Sequence, residues 1–257
     1  MHNVLIAGHI DIAELMFYIF FGFFLCLIIY LRREDRREGY PLETDVGGML
    51  LHNDGLLQTA KTKTFNLPFG QGTVSAPNSR REPVDVPNAR RTAPWAGSAI
   101  EPVGNPIGAG VGPGAFAQRA NFADVTAEGH NRIVPIGDAA GVTVEMRDVD
   151  PRGLTVRGAD GEIAGKVSDI WVDRSEMMIR YLEVDTGTNK VLMPMTMCLV
   201  NRGKNNVTCS ALTASQFGDA PGLAMAGTIT RNEEEQLVAY FGSGYLYATP
   251  SRQEPII

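Results

Sequence analysis

The chain has 257 residues, of which 44% are hydrophobic and 20% charged, with a formal net charge of −6. That length holds one large or two modest domains. The balance excludes a disordered acidic tail and a multi-span carrier, and it argues against nucleic acid as a partner, which would call for a clustered basic surface. Cys26, Cys198 and Cys209 are too few and too scattered along the chain for a disulfide framework or a zinc site.

Residues 12–31 read IAELMFYIFFGFFLCLIIYL, with Glu14 as the single charge. At about 1.5 Å per residue, a helix of this length spans roughly 30 Å, the thickness of a hydrocarbon core. Apolar side chains occupy every face, and Tyr18 and Tyr30 suit the two interfaces. All 23 Lys and Arg residues follow Leu31, beginning with Arg32, Arg33, Arg36 and Arg37. The positive-inside rule predicts residues 1–11 outside, in the periplasm, and everything after the span in the cytoplasm. A cleaved signal peptide would need a basic start and a small-residue cleavage site, and neither is present.

Residues 32–135 read as an extended membrane-proximal segment rich in Pro and Gly. Eight prolines fall between Pro68 and Pro113, with short predicted strands at 64–67 and 73–76. Phe65, Phe69, Trp95, Ile100, Val103, Ile107 and Phe116 are more apolar than a disordered linker carries, which predicts ordering on a partner's surface. GAGVGPG at 108–114 touches a dinucleotide fingerprint. No strand precedes it and Pro113 interrupts it, so it is not a nucleotide loop.

Residues 136–257 change character. Short β-branched stretches at 142–144, 154–157, 166–172, 179–184, 190–194 and 206–211 are punctuated by Asp160-Gly161, Thr186-Gly187 and Gly203-Lys204-Asn205. That pattern predicts a small antiparallel barrel. Thr230 and Glu233 form a capping box that opens a short helix over 231–241, with Gly242 and Gly244 as its stop. The fold class is therefore mainly β, with one N-terminal transmembrane helix and a short C-terminal helix.

Catalytic chemistry is sparse. His2, His9, His52 and His130 are the only histidines, and none sits in a metalloprotease, nucleophile-elbow or P-loop motif. The chain is not expected to be an enzyme. What it offers is proton-carrying groups. If 170–172 and 180–184 pair as a hairpin, Asp173 and Glu176 lie near its connection with Arg180 close by. Desolvation would raise a carboxylate there and Arg180 would lower it, and the sequence leaves both open. His130 in AEGHNR has Asp124 and Glu128 nearby, a set suited to collecting protons or an adventitious divalent metal.

YLRREDRREGYPLE (30–43), PVGNPIGAGVGPGAFAQR (102–119), HNRIVPI (130–136), the run 150–184 and GYLYATP (244–250) together resemble the H subunit of the purple-bacterial photosynthetic reaction centre. The resemblance covers essentially the whole chain and is weakest over 40–60 and 78–91. It implies a cytoplasmic PRC-type β-barrel, residence in the bacterial inner (intracytoplasmic) membrane, and an accessory subunit that caps the L and M subunits. It also implies help with proton delivery to the secondary quinone. Bacteriochlorophyll, bacteriopheophytin, quinones and non-haem iron would belong to those partners, with no primary cofactor on this chain. Membrane lipids, a cytochrome subunit and an antenna ring would be further neighbours. Glu176 matches the family's carboxylate close to the secondary quinone's proton path, Asp173 and Arg180 match its neighbours, and His130 matches one member of the surface proton-entry cluster. Glu128 stands where the family can carry a second histidine, which removes half of a two-histidine metal site. The competing reading is a membrane-tethered PRC-barrel adaptor of another complex, from which the motifs following the span distinguish it.

Overall fold

The structure, a computed structural model, describes residues 11–40, 42–43, 50–51, 60–78, 88–95 and 97–253. The expectations placed on His2, His9, His52 and residues 1–10 lie outside these. The chain divides into two compact units, Met1–Val84 with Trp95–Gly97, and Asp85–Pro94 with Ser98–Ile257.

In the first unit α1 runs Ile12–Glu34, three residues beyond the expected span, and the Asp11 carboxylate caps it by accepting from the Ala13 amide at 2.9 Å. Its most apolar stretch has a mean hydropathy of 2.5, and none of its residues is buried. A helix this long and apolar, with no core of its own to enter, has the properties of a membrane span. Arg37, one turn beyond α1, pairs with Glu34 at 2.8 Å. It also donates to the carbonyls of Lys61 and Ala76, at 2.6 and 2.9 Å. Two short antiparallel pairs follow α1. One joins β1 (Leu42–Glu43) to β2 (Leu50–Leu51), and the other joins β3 (Lys63–Asn66) to β4 (Thr73–Ala76). Phe65 and Phe69 stay exposed within the unit.

The second unit opens with the pair β5 (Ala89–Arg91) and β6 (Ile100–Pro102). Its body is a seven-stranded sheet. The strands are β7 (Ile133–Pro135), β8 (Thr155–Arg157), β9 (Ile163–Asp173), β10 (Met178–Asp185), β11 (Lys190–Pro194), β12 (Cys198–Asn201) and β13 (Asn206–Cys209). The order is β11-β10-β9-β8-β13-β12, with β7 added to β9. Only β8 and β13 run parallel. The three glycine-containing turns fall where the sequence places them, between β8 and β9, β10 and β11, and β12 and β13. The stretch 142–144 is not a strand, whereas β7 and β12 are strands the alternation did not reveal. Both are short, and their pairing is decided by distant partners.

Trp171, Ile170, Leu182, Met193, Val156 and Phe217 are among the fully buried side chains at the centre of the unit. Helix α2 (Arg231–Tyr247) closes it, with Phe241 meeting Phe217 edge-on at 5.6 Å. The capping box forms as expected, Thr230 Oγ1 accepting from the Glu233 amide at 3.2 Å and Glu233 Oε2 from the Thr230 amide at 2.7 Å. The expected stop does not occur, because α2 runs six residues past Phe241, through Gly242 and Gly244. Those glycines serve packing. A Cβ on Gly244 would lie 2.4 Å from the Ala211 carbonyl oxygen, and one on Gly242 3.2 Å from that of Pro113.

The boundary expected at 135/136 also differs from the division of the units. Residues 98–135 belong with the barrel, because Ile107, Ala109 and Val111 are buried in this unit and Gly114 approaches Ser243 of α2. Of the apolar residues singled out in that stretch, Ile107 is buried here, whereas Ile100, Val103 and Phe116 stay exposed.

Candidate functional site

The connection between β9 and β10 is where the ionisable groups collect. Strand β9 ends at Asp173, register-paired to Met178 of β10 on one side and to Ile133 of β7 on the other. A strand flanked on both sides buries its last residue, and Asp173 has no exposed surface. One carboxylate oxygen, Oδ1, accepts from the amides of Ser175 and Glu176 at 2.9 and 3.0 Å, which folds the chain into the turn. The other, Oδ2, lies 2.8 Å from Arg132 Nε. The N–H is not aimed along that line, so this contact is an ion pair rather than an aligned hydrogen bond.

Arg132 is the hub. Its Nη1 reaches Asp124 Oδ2 at 3.3 Å and its Nη2 reaches Glu176 Oε1 at 2.5 Å, so one guanidinium faces three carboxylates. β7 places it there, since Arg132 immediately precedes Ile133. Arg174 holds the same segment from the other side, its amide donating to the Arg132 carbonyl at 2.9 Å and its guanidinium to the carbonyl of Asn131. Burial pushes the Asp173 carboxyl up, but Arg132 and the two amides outweigh it and hold the group below its ordinary range. Glu176 keeps half of its side chain in solvent.

His130 and Glu128 lie on the exposed loop before β7. The loop is closed by the Thr126 amide donating to the His130 carbonyl at 2.8 Å. The Glu128 carboxyl is held below its usual range by its surroundings, Thr126 first, with His130 and Arg174 acting in the same direction. Among the described residues, no three or more His, Cys, Asp or Glu side chains gather as metal ligands.

The expected neighbourhood of Arg180 needs correction. Asp173 takes its guanidinium from Arg132, while Arg180 acts electrostatically on Glu234 and Tyr181. The β9–β10 pairing shifts register between Ile179 and Tyr181, which breaks the simple projection of Arg180 toward the turn. Glu234, in the first turn of α2, accepts from the Tyr181 hydroxyl at 3.2 Å. Burial pushes its carboxyl up, partly offset by Tyr181 and Arg180.

Arg132, Arg174 and Glu234 are thus members of the site that residue reasoning passed over. Arg132 and Arg174 do stand within HNRIVPI and WVDRSE. Of the six residues singled out, the structure brings Asp124, Asp173 and Glu176 onto one arginine. It leaves Glu128 and His130 on the adjoining loop, and Arg180 acts on the group through Glu234, whose carboxyl also feels Asp124 and Arg132.

One helix long and apolar enough to cross a membrane, with a β unit whose carboxylates cluster at a strand connection, is the architecture of a membrane-associated protein. The family model for the photosynthetic reaction centre H-chain N-terminal region matches residues 4–138, and that for the PRC-barrel domain matches residues 143–216. The chain belongs to the photosynthetic reaction centre H-chain family. It is an H subunit, which associates with the other subunits of that complex. The match to the H-chain region ahead of the barrel is what separates it from a PRC-barrel adaptor of another complex.

Proposed function

We propose that this H subunit caps the cytoplasmic face of the L and M subunits, with its N-terminus periplasmic, and helps to deliver protons to the secondary quinone held there. The observation that carries the reading is Arg132 shared by Asp124, Asp173 and Glu176. Reduction of a quinone to quinol consumes two electrons and two protons, and its pocket must stay nearly dry while those protons arrive. A fixed cation surrounded by several carboxylates suits that task. Asp173, buried and ionised, anchors Arg132 and serves as a standing charge rather than a carrier. Glu176 pairs with Arg132 while keeping half of its side chain in water, which suits it to pass protons on. Asp124 is a second carboxylate on the same guanidinium, and Glu128 with His130 offers an entry point on the loop. The bacteriochlorophyll, bacteriopheophytin, quinones and iron of such a complex belong, in this reading, to L and M.

The test is flash-induced kinetics in the assembled complex carrying Glu176→Gln. The second electron transfer to the secondary quinone, which waits for a proton, is expected to slow. The first is expected to change much less. Both steps unchanged would remove Glu176 from the path.

A further inference from the structure

The cation-rich end of α1 takes no part in the chemistry above, yet it borders a cavity. Within the first unit, Arg37 grips Glu34 with two nitrogens, Nε and Nη2, each at 2.8 Å. It also donates to the carbonyls of Lys61 and Ala76 at the base of the β3–β4 hairpin. Only 10% of its side chain is exposed. This buried guanidinium therefore holds the hairpin base against the last turn of the helix. Lys63, on β3, adds a contact to Glu34 at 3.1 Å and sets its Nζ 6.0 Å from the centre of the Tyr30 ring. Between the helix and the hairpin base lies an open cavity of about 500 Å³.

The walls of this cavity are chemically divided along the helix axis. Cys26, Ile29 and Tyr30 belong to the apolar run, while Arg33, Arg37, Lys61 and Lys63 stand at and beyond its end. Glu34 is the one acid among the described lining residues, so four cations face a single carboxylate, already shared by Arg37 and Lys63. Arg33 lies seven residues past Cys26, about 10 Å along the axis. With the apolar run in the hydrocarbon, Arg33 stands at headgroup depth and Cys26 among the acyl chains. An excess of positive charge directly above an apolar wall is complementary to one class of molecule, an amphiphile with an anionic head.

We propose that this cavity binds one anionic phospholipid, its phosphate held by Arg33, Lys61 and Lys63 and an acyl chain laid along Cys26 and Ile29. The inference rests on α1 crossing a membrane and is independent of the proton-delivery reading. Arg37 is a positioning residue. Fixed by Glu34 and the two carbonyls, it keeps the hairpin base in place and adds its charge behind the phosphate. A zwitterionic head brings its own cation into a site with an excess of positive charge, which disfavours it. Free phosphate satisfies the cations but leaves the apolar wall uncovered.

The test is native mass spectrometry of the delipidated full-length chain in a non-ionic detergent. The chain is titrated separately with dioleoylphosphatidylglycerol, dioleoylphosphatidylcholine and inorganic phosphate. One phosphatidylglycerol is expected to stay bound per chain at concentrations where phosphatidylcholine is not retained. Neither excess glycerophosphoglycerol, the same head without chains, nor inorganic phosphate should displace it. Arg33→Gln and Lys61→Gln should each weaken retention by about fivefold, and the double variant by about 25-fold. Neither side chain holds the hairpin, so both variants keep the cavity. Arg32→Gln, whose parent side chain pairs with Asp35 outside the cavity, should leave retention unchanged. Equal retention of the two lipids would overturn the proposal, as would a loss from Arg32→Gln as large as that from Arg33→Gln. Displacement by glycerophosphoglycerol or by phosphate would make this a free-anion site and overturn the lipid assignment.

Discussion

Arg132 Nε and Asp173 Oδ2 meet at 2.8 Å across two strands that β7 and β9 bring together from 41 residues apart, and the carboxylate has no exposed surface. Removing either partner has unequal consequences. Arg132→Met leaves a buried carboxylate with only two amides, and a loss of about 3 kcal/mol is expected. The low end of that range applies because the pair sits at a strand end. Asp173→Asn leaves Arg132 paired with Asp124 and Glu176, and about 1–2 kcal/mol is expected. Urea unfolding of the full chain distinguishes the two, and equal losses would contradict the hub arrangement.

The same pair sets an acid limit on stability. The Asp173 carboxyl is held below its ordinary range in the folded chain. Its contribution is complete above the unfolded value, near pH 4, and is lost as pH falls through the lower folded value. Unfolding followed between pH 3 and 7 should show a decline below about pH 4 that Asp173→Asn flattens.

Glu234 has the opposite sign. Its carboxyl is pushed up by burial, so the folded chain holds that proton more tightly than the unfolded chain. Stability is lost as pH rises from the unfolded value toward and through the folded one. Glu234→Gln keeps an acceptor for the Tyr181 hydroxyl and removes the charge. The variant is expected to match or exceed the parent at pH 8, by up to about 1 kcal/mol, and to lose that advantage near pH 4. Melting curves at the two pH values check it.

Gly244 offers a test of the long C-terminal helix. Within the helix, alanine would by propensity alone gain about 1 kcal/mol. The Ala211 carbonyl, 2.4 Å from where the Cβ would stand, is backbone and cannot yield cheaply. Gly244→Ala is therefore expected to destabilise by about 1–3 kcal/mol. Gly242→Ala, whose new Cβ meets the Pro113 carbonyl at 3.2 Å, should be closer to neutral. A stabilised Gly244→Ala would refute the packing role.

Glu128 bears on metal sensitivity at the proton-entry loop. With His130 as the single imidazole there, zinc or cadmium should inhibit proton uptake by the assembled complex only weakly. Glu128→His adds a second imidazole two residues away and is expected to lower the inhibitory zinc concentration by about tenfold. Flash-induced proton uptake measured with a pH dye reads the difference, and equal sensitivity in the two forms would show that the loop is not the inhibitory site.

The span, the barrel and the three glycine turns were legible along the chain because each depends on neighbours in sequence. An unbroken apolar run followed by arginines needs no partner to be read, and neither does a glycine-bearing turn between β-branched stretches. The carboxylates of WVDRSE were legible for the same reason, since the turn that carries Asp173 and Glu176 is local. Their cation was not, because Arg132 joins them only through the β7–β9 pairing. Arg180, nearer in sequence, sits at a register shift and acts on Glu234 and Tyr181 instead.

By itself the sequence determined that one helix has the length and apolarity to cross a membrane, that a small β domain follows, and that its acids cluster near one hairpin. Tertiary structure alone decided which arginine those acids share, that Ile107 and Val111 enter the barrel unit's own core, and that Cys198 and Cys209, judged too scattered, become cross-strand partners. The reason is physical. Local propensity acts over a few residues, whereas ion pairs, close glycine contacts and cross-strand cysteine partners depend on which strands pair and in which register, and burial of the whole core sets that register.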